Sequence, residues 1–283
     1  MTPPEFSRDG LPAPHFLYGT AWKENETQRL VESALEQGFR GIDTANQRRH
    51  YDEAAVGRAI AAVVKRGLVA RNDLFLQTKF TFRRGQDHRL PYDPEAPVAA
   101  QVEQSFASSL EHLGTGTIDS YLLHGPIQRV GLVADDWSAW RAMEAIHDGG
   151  RVRWLGVSNF SLEQLRALIL KARIRPRFVQ NRCYAVHGWD RAIRDFCTEN
   201  GLIYQGFSLL TANRDALAHP EFARIAKKYR RTVSQIAFRF ALDVGMLPLT
   251  GTSSVTHMQE DLSVFDFRLD ATEIERIGSL AMS

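Results

Sequence analysis

A repeated order of short apolar segments and amphipathic segments is the feature that most constrains the fold of this chain. Residues 17–19 are a short apolar segment, and Leu30, Val31, Ala34 and Leu35 then recur at helical spacing. The same order, strand then helix, is found eight times along the sequence. The apolar segments do not alternate with polar residues, which is typical of strands buried on both faces of a parallel sheet. The sequence therefore predicts the α/β class, as a single closed (β/α)8 barrel, or TIM barrel.

No Pro- or Gly-rich linker divides the chain, so one domain is expected over residues 1–283. Residues 1–15 are expected to cover the barrel with at most a small hairpin. No G-x-G-x-x-G motif follows a predicted strand, which removes the main sequence support for a doubly wound dinucleotide fold. Strands are predicted near residues 17–19, 42, 74–78, 121–123, 154–157, 178–181, 202–206 and 246–249, and helices near 52–64, 98–113, 135–148, 190–199, 221–229, 232–243 and 271–281.

Composition argues against several classes of function. A formal net charge of +2 gives no general electrostatic reason to bind nucleic acid or an anionic membrane, so neither is expected as a partner. Cys183 and Cys197 are too few for a secreted disulfide framework, and no N-terminal apolar segment reaches the length of a signal peptide or membrane span. The nine histidines show no paired spacing for zinc, so no metal is expected. We therefore expect a cytoplasmic protein.

Four ionisable residues are placed at or just beyond the carboxyl ends of predicted strands. Asp43 ends "GID", Tyr51 stands just before the following helix, Lys79 is near the end of "LFLQTKF", and His124 follows "SYLL". In (β/α)8 barrels the active site is built at the carboxyl ends of the strands. The four side chains are therefore expected to meet in one site.

Six short segments, in order, resemble the aldo-keto reductase family: "GTAW", "GIDTA", "QTKF", "LLHGP", "GVSNF" and "FVQN". The resemblance spans nearly the whole chain and is to a bacterial-type member with a short C-terminal segment. It implies a catalytic tetrad of Asp43, Tyr51, Lys79 and His124. One departure concerns the tyrosine, since the family places it five residues after the aspartate, where this chain has Arg48. Tyr51 lies three residues further on, in a loop that is about two residues longer.

The chemistry of carbonyl reduction needs these residue types, because hydride must reach carbon while a proton reaches oxygen. A free tyrosine, with a pKa of about 10, is a weak acid. A nearby ammonium lowers that pKa, and a carboxylate beside the ammonium keeps the lysine charged. Tyr51 is therefore the expected general acid, assisted by Lys79 and Asp43, and His124 is expected to hydrogen-bond to the carbonyl oxygen. A bound nicotinamide would supply the hydride.

Each of the four residues also has a structural interpretation. Asp43 alone could cap its loop or pair with Arg48 or Arg49, and Lys79 could be an ordinary strand-end lysine. His124 alone could be a buried histidine with its hydrogen bonds satisfied. Tyr51 could pack under the helix that follows it, with the neighbouring His50 as the competing proton donor.

The resemblance also implies positions for the cofactor. A nicotinamide carboxamide needs both donors and acceptors, which the side chains of two of the segments supply. The segment "LTGTSS" precedes the last barrel helix, where backbone N–H groups and hydroxyls hold phosphate, although a plain helix cap is the alternative. The implied residues are Gly19 and Thr20 at the ribose, Ser158, Asn159 and Gln180 at the carboxamide, Phe207 in place of the usual stacking tyrosine, with Ser208 beside it, and Thr250, Thr252, Ser253 and Ser254 at the phosphates.

The residues after Pro248 bear on the choice between the two nicotinamide cofactors. Many NADPH-preferring relatives have Lys-Ser after the proline of this segment and an arginine further on. This chain has Leu249-Thr250 after Pro248, and His257 near the place of the arginine. The strongest basic contacts to a 2′-phosphate are therefore absent. The resemblance still favours NADP(H) over NAD(H), with NAD(H) as the alternative.

The substrate pocket is predicted from fewer residues. Trp22 and Phe80 are candidates for an apolar wall, and Gly125 stands where many relatives have a tryptophan, which predicts a wider site. Residues 80–97 form a long connection, and we expect them to lie over the mouth of the barrel and to select substrate. The sequence thus predicts an NAD(P)H-dependent reductase of small aldehydes or ketones, monomeric in the absence of any contrary feature. The alternatives are a cofactor-binding sensor subunit of the same fold and an aldolase that uses Lys79 as a Schiff-base amine.

Overall fold

The computed structural model describes residues 6–8 and 11–280. Eight parallel strands close into a barrel in the order β10-β3-β4-β5-β6-β7-β8-β9, so each strand pairs with the next along the chain and the last pairs with the first. The predicted (β/α)8 barrel is confirmed. The barrel strands are β3 (Leu17–Gly19), β4 (Gly41–Asp43), β5 (Phe75–Phe80), β6 (Ile118–Leu123), β7 (Val152–Ser158), β8 (Phe178–Arg182), β9 (Ile203–Phe207) and β10 (Leu247–Thr250).

Helices follow the strands and cover the outside of the barrel. Several start where the sequence provides a capping side chain: Asp52, Ser161, Thr232 and Asp270 each accept a hydrogen bond from the backbone N–H three residues later. The helices are α1 (Thr27–Gln37), α2 (Glu53–Lys65), α3 (Val98–Leu113), α4 (Ala134–Asp148), α5 (Leu162–Lys171), α6 (Arg191–Glu199), α7 (Arg214–Leu217), α8 (Pro220–Tyr229), α9 (Val233–Asp243), α10 (Val255–Leu262) and α11 (Ala271–Ser279).

The third barrel strand extends further than the sequence predicted, because β5 stays paired with β6 through Phe80 and Leu123. Successive side chains of a strand point to opposite faces. The side chain of Lys79 points into the barrel, where it is fully buried and hydrogen-bonded. The side chain of Phe80 points outward and is fully buried against the surrounding helices and loops. The longer strand thus fixes which of these two neighbours belongs to the interior.

The interior of the barrel is divided into an apolar and a polar part. Residues from the beginnings of several strands form a compact apolar cluster that closes the amino-terminal half, among them Leu17, Phe75, Phe178, Ile203 and Leu247. The polar residues of the interior therefore collect at the carboxyl ends of the strands. The candidate functional groups lie above this apolar cluster.

Two further strands precede the barrel, and they form the small hairpin that was expected. β1 (Phe6–Arg8) pairs antiparallel with β2 (Leu11–Ala13). In the part of the chain that the structure describes, no helix has the length and apolar character needed to cross a membrane.

Gly57 in α2 sits against the end of α3, and its substitution tests this contact. A Cβ at Gly57 would lie 2.1 Å from the carbonyl oxygen of His112, whereas a Cβ at Gly278 in α11 would meet no atom within 4 Å. We expect Gly57→Ala to lower the free energy of unfolding by about 2 kcal/mol or more, because overpacking outweighs the gain in helix propensity. Gly278→Ala should raise it by about 0.5 kcal/mol.

The two variants are to be compared with the parent by urea denaturation. A Gly57→Ala protein as stable as the parent would contradict this close approach of α2 and α3.

Candidate active site

A buried ion pair lies at the centre of the carboxyl end of the barrel. Lys79 Nζ donates hydrogen bonds to both carboxylate oxygens of Asp43, at 2.7 and 2.8 Å, and to the carbonyl oxygen of Thr44 at 2.8 Å. Burial lowers the pKa of Lys79, and the carboxylate of Asp43 opposes that shift. The three N–H groups of the ammonium are all engaged, so Lys79 has none left for another partner.

Three buried glutamines from three strands surround the carboxylate; we call Gln77, Gln180 and Gln205 the glutamine cluster. Gln77 and Gln180 donate to Asp43 Oδ1 at 2.7 and 3.0 Å. Both also donate to Gln205 Oε1, at 2.8 and 2.9 Å. Of the three, only Gln180 is a predicted site residue. The signal for the other two was a glutamine inside an otherwise apolar strand, in "FLQTKF" and in "YQGF".

Tyr51 reaches the same site from the longer loop. The N–H groups of His50 and Tyr51 both bond to the carbonyl oxygen of Gln47, which turns the chain toward the barrel. The Tyr51 ring is edge-on to His124 at 6.0 Å between centroids, and Lys79 Nζ lies 5.4 Å from its centre. Among the described residues, its hydroxyl has no hydrogen-bond partner. The loop therefore brings Tyr51, and not Arg48, next to Lys79 and His124.

The pKa of Tyr51 shifts in the direction opposite to the sequence-based expectation. Burial raises it above the usual value of 10, and the negative charge of Asp43 raises it further. The expected lowering by Lys79 is wrong for this arrangement, because the ammonium is hydrogen-bonded to a carboxylate of equal and opposite charge. Tyr51 is therefore a neutral phenol at neutral pH.

His124 lies beside Tyr51 and is held through one ring nitrogen. Its Nδ1 is 2.6 Å from Thr81 Oγ1, and its backbone N–H bonds to the carbonyl oxygen of Phe80. Burial lowers the pKa of His124 well below 6.5, and the positive charges of Lys79 and His50 lower it further. The imidazole is therefore neutral and can donate a hydrogen bond without carrying charge.

The basic residues of the loop contact other partners than Asp43. Arg48 Nη2 is 3.0 Å from His112 Nε2, on the outer side of the loop. The ring of His50 stacks on Trp22 with 3.8 Å between centroids. The alternative in which Asp43 pairs with Arg48 or Arg49 is not observed, since the carboxylate is bonded to Lys79 and the glutamine cluster.

An elongated cavity of about 680 Å³ runs from Tyr51 across the top of the barrel. One end is formed by Trp22, Asp43, Tyr51 and His124, and the other by residues of β10 and α10. The predicted residues that line it are Gly19, Trp22, Asp43, Tyr51, His124, Ser158, Gln180, Phe207, Ser208, Thr250 and Thr252, and the lining residues that the sequence analysis missed include Arg182, Leu209, Ser234, Phe238, Glu260 and Asp261.

Four residues proposed for the cofactor do not line the elongated cavity, and three of them have other contacts. Thr20 is buried and donates to the carbonyl oxygen of Asp43, and Asn159 donates to the carbonyl oxygen of His124. Ser254 caps α10 by accepting from the N–H of His257, and Ser253 is not part of the cavity wall. The helix-cap alternative thus describes Ser254.

The predicted pocket wall is corrected at Phe80. Its ring is packed between Phe82 and Tyr92, at 5.1 and 5.7 Å between centroids, because it alternates with the inward-pointing Lys79. Gly125 lines a neighbouring cavity of about 780 Å³, which also contacts His124. His124 thus lies between two cavities, and the space near Gly125 belongs to the second one.

The far end of the elongated cavity contains a buried acceptor without a partner. Asp261 is 3% exposed, and its Oδ2 has no hydrogen-bond partner among the described residues. Amino and hydroxyl groups of an adenosine are donors that fit such an acceptor. Trp22 and Ser208, which line this cavity, have positive φ angles of 61° and 58° without being glycine. Strained backbone of this kind concentrates at functional sites.

Comparison with known proteins agrees with this geometry. A sequence profile of the Aldo/keto reductase family matches residues 16–281. The chain belongs to that family. It is 32% identical over 274 residues to "Uncharacterized oxidoreductase YtbE" of Bacillus subtilis, which covers 96% of this chain and 90% of that protein.

Two other similar proteins carry more specific names. The chain is 30% identical over 283 residues to the "NAD/NADP-dependent indole-3-acetaldehyde reductase" of Schizosaccharomyces pombe, with 96% of this chain and 92% of that protein covered. The crystal structure of a Bombyx mori aldo-keto reductase in complex with NADP superposes with a TM-score of 0.81 at 27% identity, covering 96% of this chain and 91% of that one. This aldo-keto reductase is an oxidoreductase with the fold of its family.

The long connection of this aldo-keto reductase is attached to the Tyr51 loop. Gln86 Nε2 donates to the carbonyl oxygen of Asn46 at 2.8 Å, and Gln47 Nε2 donates to that of Gly85 at 2.6 Å. Arg84 and Gly85 line the neighbouring cavity next to His124. The connection thus lies beside the mouth and supports the loop; its role in selecting substrate stays a prediction.

Over residues 6–8 and 11–280, no group of three His, Cys, Asp or Glu side chains is placed to hold a metal ion.

Asp261 gives the aldo-keto reductase a specific dependence of stability on pH. Burial raises the pKa of Asp261 to about 7, a hydrogen bond from Thr250 opposes that shift and Glu260 adds to it. A raised pKa in the folded state contributes stability that is complete below the ordinary pKa near 4 and is lost as the pH rises through 7. Between pH 4 and 7, the free energy of unfolding should therefore fall with pH more steeply than in Asp261→Asn, by up to about 1.4 kcal/mol per pH unit.

Urea denaturation at a series of pH values measures the difference between the two proteins. Identical slopes for both would show that Asp261 is ionised in the folded state at the pH values tested.

Proposed function

We propose that the protein reduces a small aldehyde or ketone to an alcohol with NAD(P)H, and that Tyr51 is the general acid. The observation that supports this assignment is the neutral phenol of Tyr51 beside the neutral imidazole of His124, in a cavity of about 680 Å³ whose lining extends to α10. Both groups hold a proton at neutral pH, which a reduction consumes. The family relationship supplies the reaction class.

The proton transfer follows from the high pKa of Tyr51. When bound, the nicotinamide supplies a hydride to the carbonyl carbon. The carbonyl oxygen then becomes an alkoxide, which is a stronger base than a phenolate, so the O–H bond of Tyr51 breaks and the O–H bond of the alcohol forms. The ammonium of Lys79, 5.4 Å from the ring, stabilises the phenolate that remains. His124 donates a hydrogen bond to the same oxygen as its charge develops.

The residues along the cavity fit a nicotinamide dinucleotide. Ser158 and Gln180 are at the catalytic end, and because the Gln180 nitrogen already bonds to Asp43 and Gln205, its oxygen is the atom that accepts from a carboxamide. Phe207 presents a ring for stacking. At the far end, Thr250 and Thr252 offer hydroxyls near the start of α10.

We propose NADP(H) as the preferred cofactor, with a small preference over NAD(H). The Bombyx mori relative was crystallised with NADP, and the Schizosaccharomyces pombe relative is named for both cofactors. At the far end of this cavity, His257 stands beside the carboxyl groups of Glu260 and Asp261, without an arginine or lysine from α10. Hydroxyl and imidazole groups bind a 2′-phosphate more weakly than a guanidinium does.

The use of Lys79 as a Schiff-base amine receives no support from its contacts. A nucleophilic amine must lose its proton and reach the substrate. Lys79 is fully buried, its ammonium donates to Asp43 and Thr44, and it does not line the cavity. The sensor alternative is also less favoured, because the four groups of the tetrad are all in the site.

Replacing Tyr51 tests the general acid. Tyr51→Phe keeps the ring and removes only the hydroxyl proton, so kcat for an activated aldehyde should fall by about 100-fold or more while the Kd for NADPH stays within about threefold. His50→Gln is the matched control, since His50 is the neighbouring proton donor in the same loop. It should keep at least about a tenth of the parent kcat, and the reverse pattern would assign the acid to His50.

Cofactor preference is tested by fluorescence titration of the parent with NADPH and NADH side by side. The two Kd values should lie within about tenfold of each other, because the charged clamp for the 2′-phosphate is absent. His257→Arg should tighten NADPH about tenfold and leave NADH nearly unchanged. Failure of both cofactors to bind would overturn the proposed function, and a parent preference for NADPH above about 100-fold would overturn the charge argument.

A further inference from the structure

Thr81 is the residue that fixes one nitrogen of His124. It lies just past the end of β5, two residues after Lys79, and is 6% exposed. Its Oγ1 is 2.6 Å from His124 Nδ1, which is short for a hydrogen bond between a hydroxyl and an imidazole. His124 is therefore bonded at Nδ1 by a hydroxyl, which leaves Nε2 as the ring nitrogen for another partner.

The backbone around Thr81 is held in place by the long connection. Its carbonyl oxygen accepts from the hydroxyl of Tyr92 at 2.9 Å and from Gln86 Nε2 at 3.3 Å. Its methyl group occupies the space next to Gly85, where a Cβ would approach it to 2.7 Å. These contacts leave the hydroxyl of Thr81 directed at the ring of His124.

The direction of this hydrogen bond decides the tautomer of His124. A hydroxyl can donate or accept, and a neutral imidazole carries its proton on either nitrogen. Among the described residues, His124 Nδ1 is the only hydrogen-bond partner of Thr81 Oγ1. If Nδ1 carried the proton, the hydroxyl proton of Thr81 would have no acceptor among the described residues. The hydroxyl therefore donates to Nδ1, and the proton of the imidazole is on Nε2.

We propose that Thr81 is a positioning residue that keeps His124 in the Nε2–H tautomer, so that the imidazole faces the carbonyl oxygen as a donor. In the other tautomer the lone pair of Nε2 would oppose the negative charge that develops on that oxygen. This inference rests on the proposed function, since it assigns His124 the role of hydrogen-bond donor. Thr81 lines the neighbouring cavity and not the elongated cavity, and its proposed effect on the reaction is exerted through His124.

Replacement of Thr81 separates this role from packing. Thr81→Val keeps the shape and removes the hydroxyl, so kcat should fall about 10- to 100-fold while the Kd for NADPH stays within about threefold. Thr81→Ser restores the hydroxyl and should keep kcat within about threefold of the parent. In a His124→Gln background, Thr81→Val should cause no further loss, because the residue through which it acts is gone.

The tautomer itself is observable by NMR on the full chain labelled with ¹⁵N in histidine, with the His124 signals identified by their loss in His124→Gln. The parent should show a protonated Nε2 and an unprotonated Nδ1, and Thr81→Val should show a mixture of both tautomers. The proposal is overturned if the parent carries the proton on Nδ1, if Thr81→Val retains the parent kcat, or if Thr81→Val is equally damaging without His124. A parent without reductase activity but with the expected tautomer would overturn the proposed function, whereas the hydrogen bond from Thr81 to Nδ1 of His124 would stand.

Discussion

The ion pair between Lys79 and Asp43 is the interaction on which the rest of the site depends. Both charges are buried, and two charges taken out of water are stable only when every remaining hydrogen-bonding position is filled. The protein meets this requirement with two carboxylate contacts and one carbonyl contact on the ammonium, and with two amide donors from the glutamine cluster on the carboxylate. Loss of either charge leaves the other unpaired in the barrel, which is far more costly than loss of the pair.

The completeness of this pairing also determines how the proton donors behave. Burial is the largest cause of the pKa shifts of both Tyr51 and His124, and the ion pair adds to each shift. The carboxylate of Asp43 raises the pKa of Tyr51, and the ammonium of Lys79 lowers the pKa of His124. The two residues remain neutral and protonated until negative charge develops on a substrate oxygen. In the proposed mechanism Lys79 stabilises the phenolate after the transfer, since no N–H of the resting ammonium is directed to the phenol.

The sequence predicts the barrel well because its period is a property of the whole chain: eight repeats of strand and helix leave few other folds. It also predicts that Asp43, Lys79 and His124 come together, since they are polar residues at the carboxyl ends of apolar strands. It does not predict which face a residue takes when the strand end is uncertain, and Phe80 was misplaced for this reason. Nor does it show the contacts of Gln77 and Gln205, which are 128 residues apart in the chain and meet only when the barrel closes.

The loop between Asp43 and Tyr51 shows how a tyrosine at a later position in the sequence can still reach Lys79 and His124. The loop directs Arg48 outward to His112, whose Nδ1 is 3.4 Å from the buried carboxylate of Glu53. Glu53 in turn accepts from Ser109 in α3 and from Thr78 in β5. The outer side of the loop is thus bonded to the same strand that carries Lys79, so the position of Tyr51 relative to the ion pair is set by the barrel itself and not by the loop alone.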